Sequence, residues 1–189
     1  MDRRAKKTEK AFIAALFVLL EKKELNKITI KELCEEADMN RSTFYLHYYD
    51  IYDLMDKTEQ QFIDNIFDTI SDQFLDLSDS VMQTFDHIKM NKDQYRILFS
   101  VDNGRRFVLK LFDALTGRHL PQVKKAFPEY NEDAAKNICM IYVGGAIALL
   151  YGWIVENDCE IEPKELLKTL NDIIDRVHEL KYTIPQEGA

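Results

Sequence analysis

Side chains able to bond to nucleic-acid bases and phosphates are concentrated between residues 29 and 48. This stretch opens with Thr29-Ile-Lys-Glu32 and closes with Arg41-Ser-Thr-Phe-Tyr-Leu-His-Tyr48. An arginine can form two parallel hydrogen bonds to guanine, and serine and threonine hydroxyls can bond to several bases. Arg41, Ser42 and Thr43 are therefore candidates for contacts with base edges.

Two short helices are predicted to position these side chains. Thr29 followed by Glu32 forms a capping box, which gives the first helix a defined start. Ile30, Leu33 and Ala37 recur at helical spacing and give that helix one apolar face. The second helix is predicted to begin near Asn40 or Arg41. Its first turn is rich in hydrogen-bonding groups, as in a helix that meets base edges in a DNA major groove.

The pattern Thr-x-x-x-Leu-x-x-x-Ala from Thr29, followed by Ser42-Thr-Phe-Tyr-x-His-Tyr48, resembles the helix-turn-helix of TetR/AcrR transcriptional regulators. The resemblance covers about residues 8–54. The segments His87–Phe99 and Tyr142-Val-Gly-Gly-Ala-Ile, with Trp153-Ile, are similar to a C-terminal domain common in Firmicutes members of that family. Such proteins are homodimers that place two recognition helices in successive major grooves of a palindromic operator, usually as repressors released by a small ligand.

The resemblance also implies roles for individual residues. Thr29 would lie at a helix N-terminus beside a phosphate. Tyr45 and His47 match positions that usually contact the DNA backbone, although His47 read alone could be an ordinary core or surface histidine. Phe44 and Tyr48 are expected to pack internally. The predicted DNA contacts are Thr29, Lys31, Asn40, Arg41, Ser42, Thr43, Tyr45 and His47.

Two positions depart from the family pattern. The turn reads Ala37-Asp38-Met39 where Ala-Gly-Val is frequent, and aspartate tolerates the positive φ expected there better than most residues. Near the start of the fourth helix the family often has a phosphate-binding lysine, whereas this chain has Ile51. We therefore expect one backbone contact to be missing, with Lys6, Lys7 and Lys31 as substitutes.

Charge is unevenly distributed along the chain, whose net charge is −8. Residues 1–31 carry nine basic and four acidic side chains, and residues 51–189 carry fifteen basic and twenty-four acidic ones. Positive charge next to the predicted helix-turn-helix would attract phosphates, and an acidic body would stay off the nucleic acid. Chance clustering in a solvated arm would give the same pattern.

Composition predicts an all-α protein, since 46% of the residues are hydrophobic and only 6 are Gly and 4 Pro. We expect a three-helix helix-turn-helix domain over residues 1–50, a helical ligand-binding and dimerisation domain over 51–182, and a disordered tail over 183–189. Helices are predicted over about 7–23, from Asp50 to about 75, from about 102 to near Gly117, over 132–156 and from Pro163. Residues 118–133 are predicted to form a loop or short helix.

Ligand and dimer sites are expected in the C-terminal helices. Aromatic residues are candidate pocket walls, although plain core is the alternative. The candidates are Phe99, Phe107, Phe112, Tyr142 and Trp153. The last two helices should pair with their symmetry mates as a four-helix bundle, unless they pack only internally. The predicted interface residues are Gly144, Gly145, Ala148, Leu170 and Ile174.

Several function classes are disfavoured. The sequence has no recognised catalytic motif, so neither an enzyme nor a cofactor is expected. The aspartates at 64, 68, 72 and 76 are interpreted as a solvated face rather than a metal site, and the three cysteines as reduced thiols of a cytoplasmic protein. The uncharged stretch 138–155 is interpreted as a helix buried on all sides rather than a membrane span. A protein-interaction module and a small-molecule carrier with a vestigial DNA reader remain the alternatives.

Overall fold

The computed structural model describes residues 3–70, 79–169 and 172, and all regular structure within these residues is helical. The N-terminal helices are α1 (Arg3–Leu20), α2 (Ile30–Glu36), α3 (Arg41–His47) and α4 (Ile51–Phe67), with a 3-10 turn over Leu25–Lys27. Next come α5 (Asp79–Met90), α6 (Lys92–Phe99), α7 (Val101–Ala126) and α8 (Glu132–Tyr151). A π-helical turn over Gly152–Glu156 extends α8, and residues 163–169 form α9. The all-α prediction is therefore confirmed.

The N-terminal helices pack around a small aromatic core. Phe12 and Phe44 are fully buried and meet edge to face, with their ring centroids 5.5 Å apart. The centroid of the Tyr48 ring lies 5.4 Å from that of Phe44 and 6.0 Å from that of Phe12. Burial raises the pKa of Tyr48 to about 12, which keeps its hydroxyl neutral. These contacts fix α3 against α1, as expected for Phe44 and Tyr48.

A row of aromatic rings joins this unit to the rest of the molecule. Phe17 of α1 lies 5.4 Å from Phe62 of α4, and Phe62 lies 5.0 Å from the buried Tyr95 of α6. The Tyr95 hydroxyl donates to the Phe62 carbonyl at 3.3 Å and lies 3.1 Å from Nε2 of His87. The buried hydrophobic residues consequently form one connected cluster that extends from Phe12 to Cys159.

Helix α7 differs from its prediction. It continues through Gly117 and Pro121 to Ala126, where the sequence suggested a loop after residue 117. The buried Leu111, Leu115 and Val123 hold this length of helix against the core. Tertiary packing therefore outweighs the helix-breaking preference of proline. Residues 127–131 alone connect α7 to α8.

The other predicted boundaries agree to within a few residues, except for the end of α4, which was predicted near residue 75. Helix α4 ends at Phe67, and residues 71–78, which include two of the four aspartates, are outside the described residues. The tail over 183–189 is also outside them. Helix α8 occupies its predicted range, but it is not buried on all sides, because it packs against α7 and leaves the opposite face exposed.

Candidate nucleic-acid interface

The capping box at the start of α2 is present as predicted. The Thr29 hydroxyl accepts from the Glu32 backbone N–H at 3.2 Å, and Oε2 of Glu32 accepts from the Thr29 N–H at 3.0 Å. Lys23, in the turn that follows α1, also donates to Glu32, at 2.7 Å. The bond from Lys23, followed by the backbone and hydroxyl bonds from Thr29, lowers the pKa of Glu32 to about 2. The first turn of α2 is therefore held to the turn that follows α1.

A tight turn sets the angle between α2 and α3. Asp38 has a φ of 51°, the left-handed conformation for which the family pattern often supplies glycine. The backbone N–H of Met39 donates to the Cys34 carbonyl at 2.9 Å, which closes the end of α2. The expectation that aspartate tolerates this turn is confirmed.

Helix α3 has one buried side and one exposed side. Phe44 is fully buried, and Thr43 and His47 beside it are half-buried. Arg41, Ser42 and Tyr45 are exposed, with Tyr45 at 59%. Asn40 precedes the helix and is exposed as well, without a capping bond from its side chain. The side chains that can bond to bases thus point away from the body of the protein.

Thr29 and Lys31 lie beside this surface but differ in availability. Lys31 is exposed, and its ammonium is 3.8 Å from the Glu35 carboxylate, a loose ion pair. The Thr29 hydroxyl already donates to Oε2 of Glu32 at 2.8 Å. A phosphate at the start of α2 would therefore meet a carboxylate that occupies the same donors.

His47 lies at the junction of three helices. Its Nδ1 is 3.8 Å from Oε1 of Glu9 in α1, and its carbonyl accepts from Lys57 of α4 at 3.0 Å. The ammonium of Lys57 also lies 5.2 Å from the centre of the Tyr48 ring. His47 therefore has contacts on both flanking helices, and a contact between its ring and a DNA backbone stays a prediction.

The start of α4 has the buried Ile51 near the place where the family often has a phosphate-binding lysine. Its side chain is 7% exposed and forms part of the core. Asp50 caps the helix by accepting from the N–H groups of Tyr52 and Asp53, each at 2.8 Å. The Tyr49 N–H donates to Asp53 at 3.0 Å, which lowers the pKa of that carboxyl. Two carboxylates thus occupy the end of α4 that an anion would otherwise approach.

Sequence reasoning did not single out three exposed residues on this side of the molecule. Leu46 of α3 is 83% exposed, Tyr49 is 87% exposed and Tyr52 is 48% exposed. The exposure of Leu46 could have been inferred from its position in the sequence, because residues 41, 42, 45 and 46 share one face of a helix.

An open depression lies where α2, the turn and α3 meet. Its volume is about 550 Å³. Both signs of charge line it, since lysine and arginine face glutamate and aspartate. The lining residues are Lys31, Cys34, Glu35, Asp38, Met39, Asn40, Arg41 and Thr43. Four of the eight predicted DNA contacts therefore surround a single concave surface.

The five candidate pocket residues do not form one group. The rings of Phe99 and Phe107 are both buried and lie 5.3 Å apart. Trp153 instead contacts Phe85 at 4.9 Å, and its Nε1 donates to the Ile161 carbonyl at 2.8 Å. Phe112 and Tyr142 are half-buried. All five are placed as core or near-core residues, and a ligand cavity beside them stays a prediction.

The candidate dimer residues that can be located lie on the outward face of α8. Gly145 and Ala148 are exposed, and Gly144 is half-buried near the Phe112 ring. Ile141 on the same helix is 74% exposed, and its neighbour Met140 is 51% exposed. Leu170 and Ile174 are outside the described residues. By length and composition alone, the helix over Glu132–Glu156 is also long and apolar enough to cross a membrane, and 28% of its most apolar stretch of 18 residues is buried.

Other site chemistry is limited. Within the residues that the structure describes, no three His, Cys, Asp or Glu side chains form a group that could hold a metal ion. The three cysteines are free and buried, and burial raises the pKa of each thiol. Such thiols are poor nucleophiles.

Two short helices joined by a tight turn, set on a helical body with a polar recognition helix outermost, define an all-helical regulator with an N-terminal helix-turn-helix. The model for TetR_C_8, the "Transcriptional regulator C-terminal region", matches residues 75–176, more than half of the chain. The chain belongs to this family of TetR-type transcriptional regulators. No curated protein matches the sequence.

Solved structures share this fold at low sequence identity. The dihydroxyacetone kinase operon activator DhaS is 17% identical with a TM-score of 0.56, covering 79% of this chain and 85% of its own. The fatty acid degradation regulator FadR from Bacillus halodurans is 14% identical with a TM-score of 0.57, covering 88% of this chain and 93% of its own. Both are TetR-like regulators, and at these identities the similarity establishes the fold alone.

Proposed function

We propose that this chain is a dimeric, sequence-specific DNA-binding regulator of transcription, and that it acts as a cytoplasmic repressor released by a small ligand. The observation that carries the proposal is the exposed side of α3. Arg41, Ser42 and Tyr45 face solvent there, while the buried Phe44 locks the helix to α1. A rigid helix with outward hydrogen-bonding groups is suited to direct readout in a major groove.

Each exposed side chain has a distinct task in this proposal. Arg41 binds guanine with two hydrogen bonds, and Ser42 and Thr43 bond to neighbouring base edges. Tyr45 and Lys31 contact phosphates, which position the helix without reading sequence. The basic residues of α1 add attraction to the backbone, and the acidic C-terminal region stays away from it.

Dimerisation supplies the second recognition helix. The outward face of α8 presents Ile141, Gly145 and Ala148, which are apolar or small and exposed in the single chain. A two-fold pairing through this face would bring two copies of α3 to one side of a duplex, about 34 Å apart. It would also cover the apolar surface of α8. In this proposal, α8 therefore packs against a second copy of itself and does not enter a membrane.

Selection of bound fragments from random DNA tests the proposal directly. We expect a palindromic site whose half-sites are one helical turn apart. The double variant Arg41→Ala, Thr43→Ala should lose the preference for that site while its thermal unfolding stays nearly unchanged, because Arg41 is exposed and Thr43 is only half-buried. Affinity should also fall by about 0.9 log units per log unit of salt for each phosphate neutralised. A variant with unchanged sequence preference would refute the proposed reader.

A second candidate is a regulator controlled by a partner protein instead of a small ligand. It is favoured by the burial of Ile51 and by the two carboxylates at the start of α4, which remove one expected phosphate contact. Size-exclusion chromatography with and without duplex DNA separates the candidates. A monomer that ignores DNA would support this second reading and would exclude the first.

A further inference from the structure

Leu46 is a large apolar side chain on the outer surface of α3. It is 83% exposed, compared with 59% for Tyr45 on the same helix. It shares the outward face with Arg41, Ser42 and Tyr45, all of which carry hydrogen-bonding groups. Within the described residues the chain itself therefore leaves this leucine uncovered.

One apolar group in the DNA major groove matches such a side chain. Thymine presents its C5-methyl group there, whereas the other exposed edges of the base pairs are hydrogen-bond donors and acceptors. Covering a leucine and a methyl group together removes apolar surface from water on both partners. A protein partner fits less well, because a stable interface buries about 800 Å² on each side, and Arg41 and Ser42 on the same face of α3 are polar and exposed.

We propose that Leu46 is a specificity-determining residue that contacts the 5-methyl group of one thymine in each half-site. This inference rests on the proposed function, since it requires α3 to enter a major groove. Leu46 lies four residues after Ser42, slightly more than one helical turn and about 6 Å further along the helix axis. Successive bases of one strand are about 3.4 Å apart. The thymine therefore lies within two base pairs of the base that faces Ser42.

Replacement of thymine by deoxyuridine removes this methyl group and leaves base pairing intact. The test uses the full-length protein and the duplex obtained by selection, with each thymine replaced in turn in both half-sites. For the wild type, we expect replacement at one thymine position to weaken binding about fourfold per half-site. This factor corresponds to the free energy of burying one methyl group. Leu46→Ala should bind the thymine duplex about as weakly and should show no further loss with deoxyuridine at that position.

Leu109→Ala is the matched control, because Leu109 is an exposed leucine on α7, at 54%, away from α3. It should bind both duplexes like the wild type. If no thymine replacement weakens the wild type, or if Leu46→Ala loses affinity equally for both duplexes, the thymine contact is wrong although DNA binding stands. If selection recovers no DNA, the proposed function itself fails, and this inference fails with it.

Discussion

Glu32 accepts hydrogen bonds from two different elements at the first turn of α2. Lys23 donates from the turn that follows α1, and the N–H and hydroxyl of Thr29 donate from the N-cap. These bonds need the ionised carboxylate, and they lower its pKa from 4.5 to about 2. A single side chain thus both caps the start of α2 and holds it to the turn that follows α1.

This pKa shift predicts a pH dependence of stability. The folded-state pKa of Glu32 lies below its ordinary value, so its contribution is present above pH 4.5 and is lost as the pH falls towards 2. The stability difference between the wild type and Glu32→Gln should therefore shrink across this window. Urea midpoints measured at a series of pH values test it. Glu36→Gln is the control, because it removes an exposed carboxylate from the same helix without touching the capping box. A constant difference would contradict the prediction.

The capping box could be predicted from sequence because its partners are three residues apart. The same holds for the Asp50 cap and for the burial of Phe44, which follow from local spacing. The exposure of Leu46 does not follow from local spacing alone, because it depends on how α3 packs against α1. Sequence alone also could not show that the Thr29 hydroxyl is engaged by Glu32 rather than left available to a phosphate.

At the scale of elements, charged residues hold α4 against α7. Glu59 of α4 has a side chain only 1% exposed, and it pairs with Arg106 at 3.0 Å and Lys110 at 2.8 Å. Asp56, one turn earlier and 55% exposed, pairs with the same two cations. Arg118 donates to the carbonyl of Phe67, the last residue of α4, and to the carbonyl of Ile70 just beyond it. A shift of α7 would therefore move α4, which directly follows the recognition helix.

We expect the buried carboxylate to contribute most of this ion cluster's stability. Glu59→Gln should lower the free energy of unfolding by about 2 kcal/mol, because breaking a buried pair leaves charges without compensation, although both cations are partly exposed. Asp56→Asn is the matched variant and should cost at most about 1 kcal/mol, as an exposed pair does. Urea unfolding at pH 7 measures both. Equal losses would mean that the burial of Glu59 carries no special weight.

Long-range packing also explains the errors in the element prediction. Gly117 and Pro121 disfavour helix locally, yet α7 continues to Ala126 because its apolar residues reach the core at helical spacing. The pairing of α4 with α7 joins residues about fifty positions apart, and local patterns carry no information on it. The helix types and most boundaries were therefore predictable, whereas the contacts between distant helices were not.

At the scale of the whole molecule, α8 has an apolar face that the single chain leaves exposed. It packs against α7 on one side, and Ile141 and Gly145 remain exposed on the other. Large apolar surfaces that stay exposed in a monomer usually mark an interaction site. Small residues such as Gly145 and Ala148 would let two helix backbones approach closely. The uncharged sequence suggested full burial, and a second copy of the chain would provide it.

The proposed pairing predicts the effect of one charge on this face. Ile141→Asp should convert a dimer of twice 22.2 kDa into a monomer, because each copy would bury an unpaired carboxylate at the two-fold contact. Light scattering after size exclusion measures the mass. Met90→Asp is the control, since Met90 is 79% exposed at the end of α5 and should leave the dimer intact. The monomer should also bind a half-site and a full palindrome with similar affinity, because the coupling between two recognition helices is lost. A dimer that survives Ile141→Asp would move the interface to another surface.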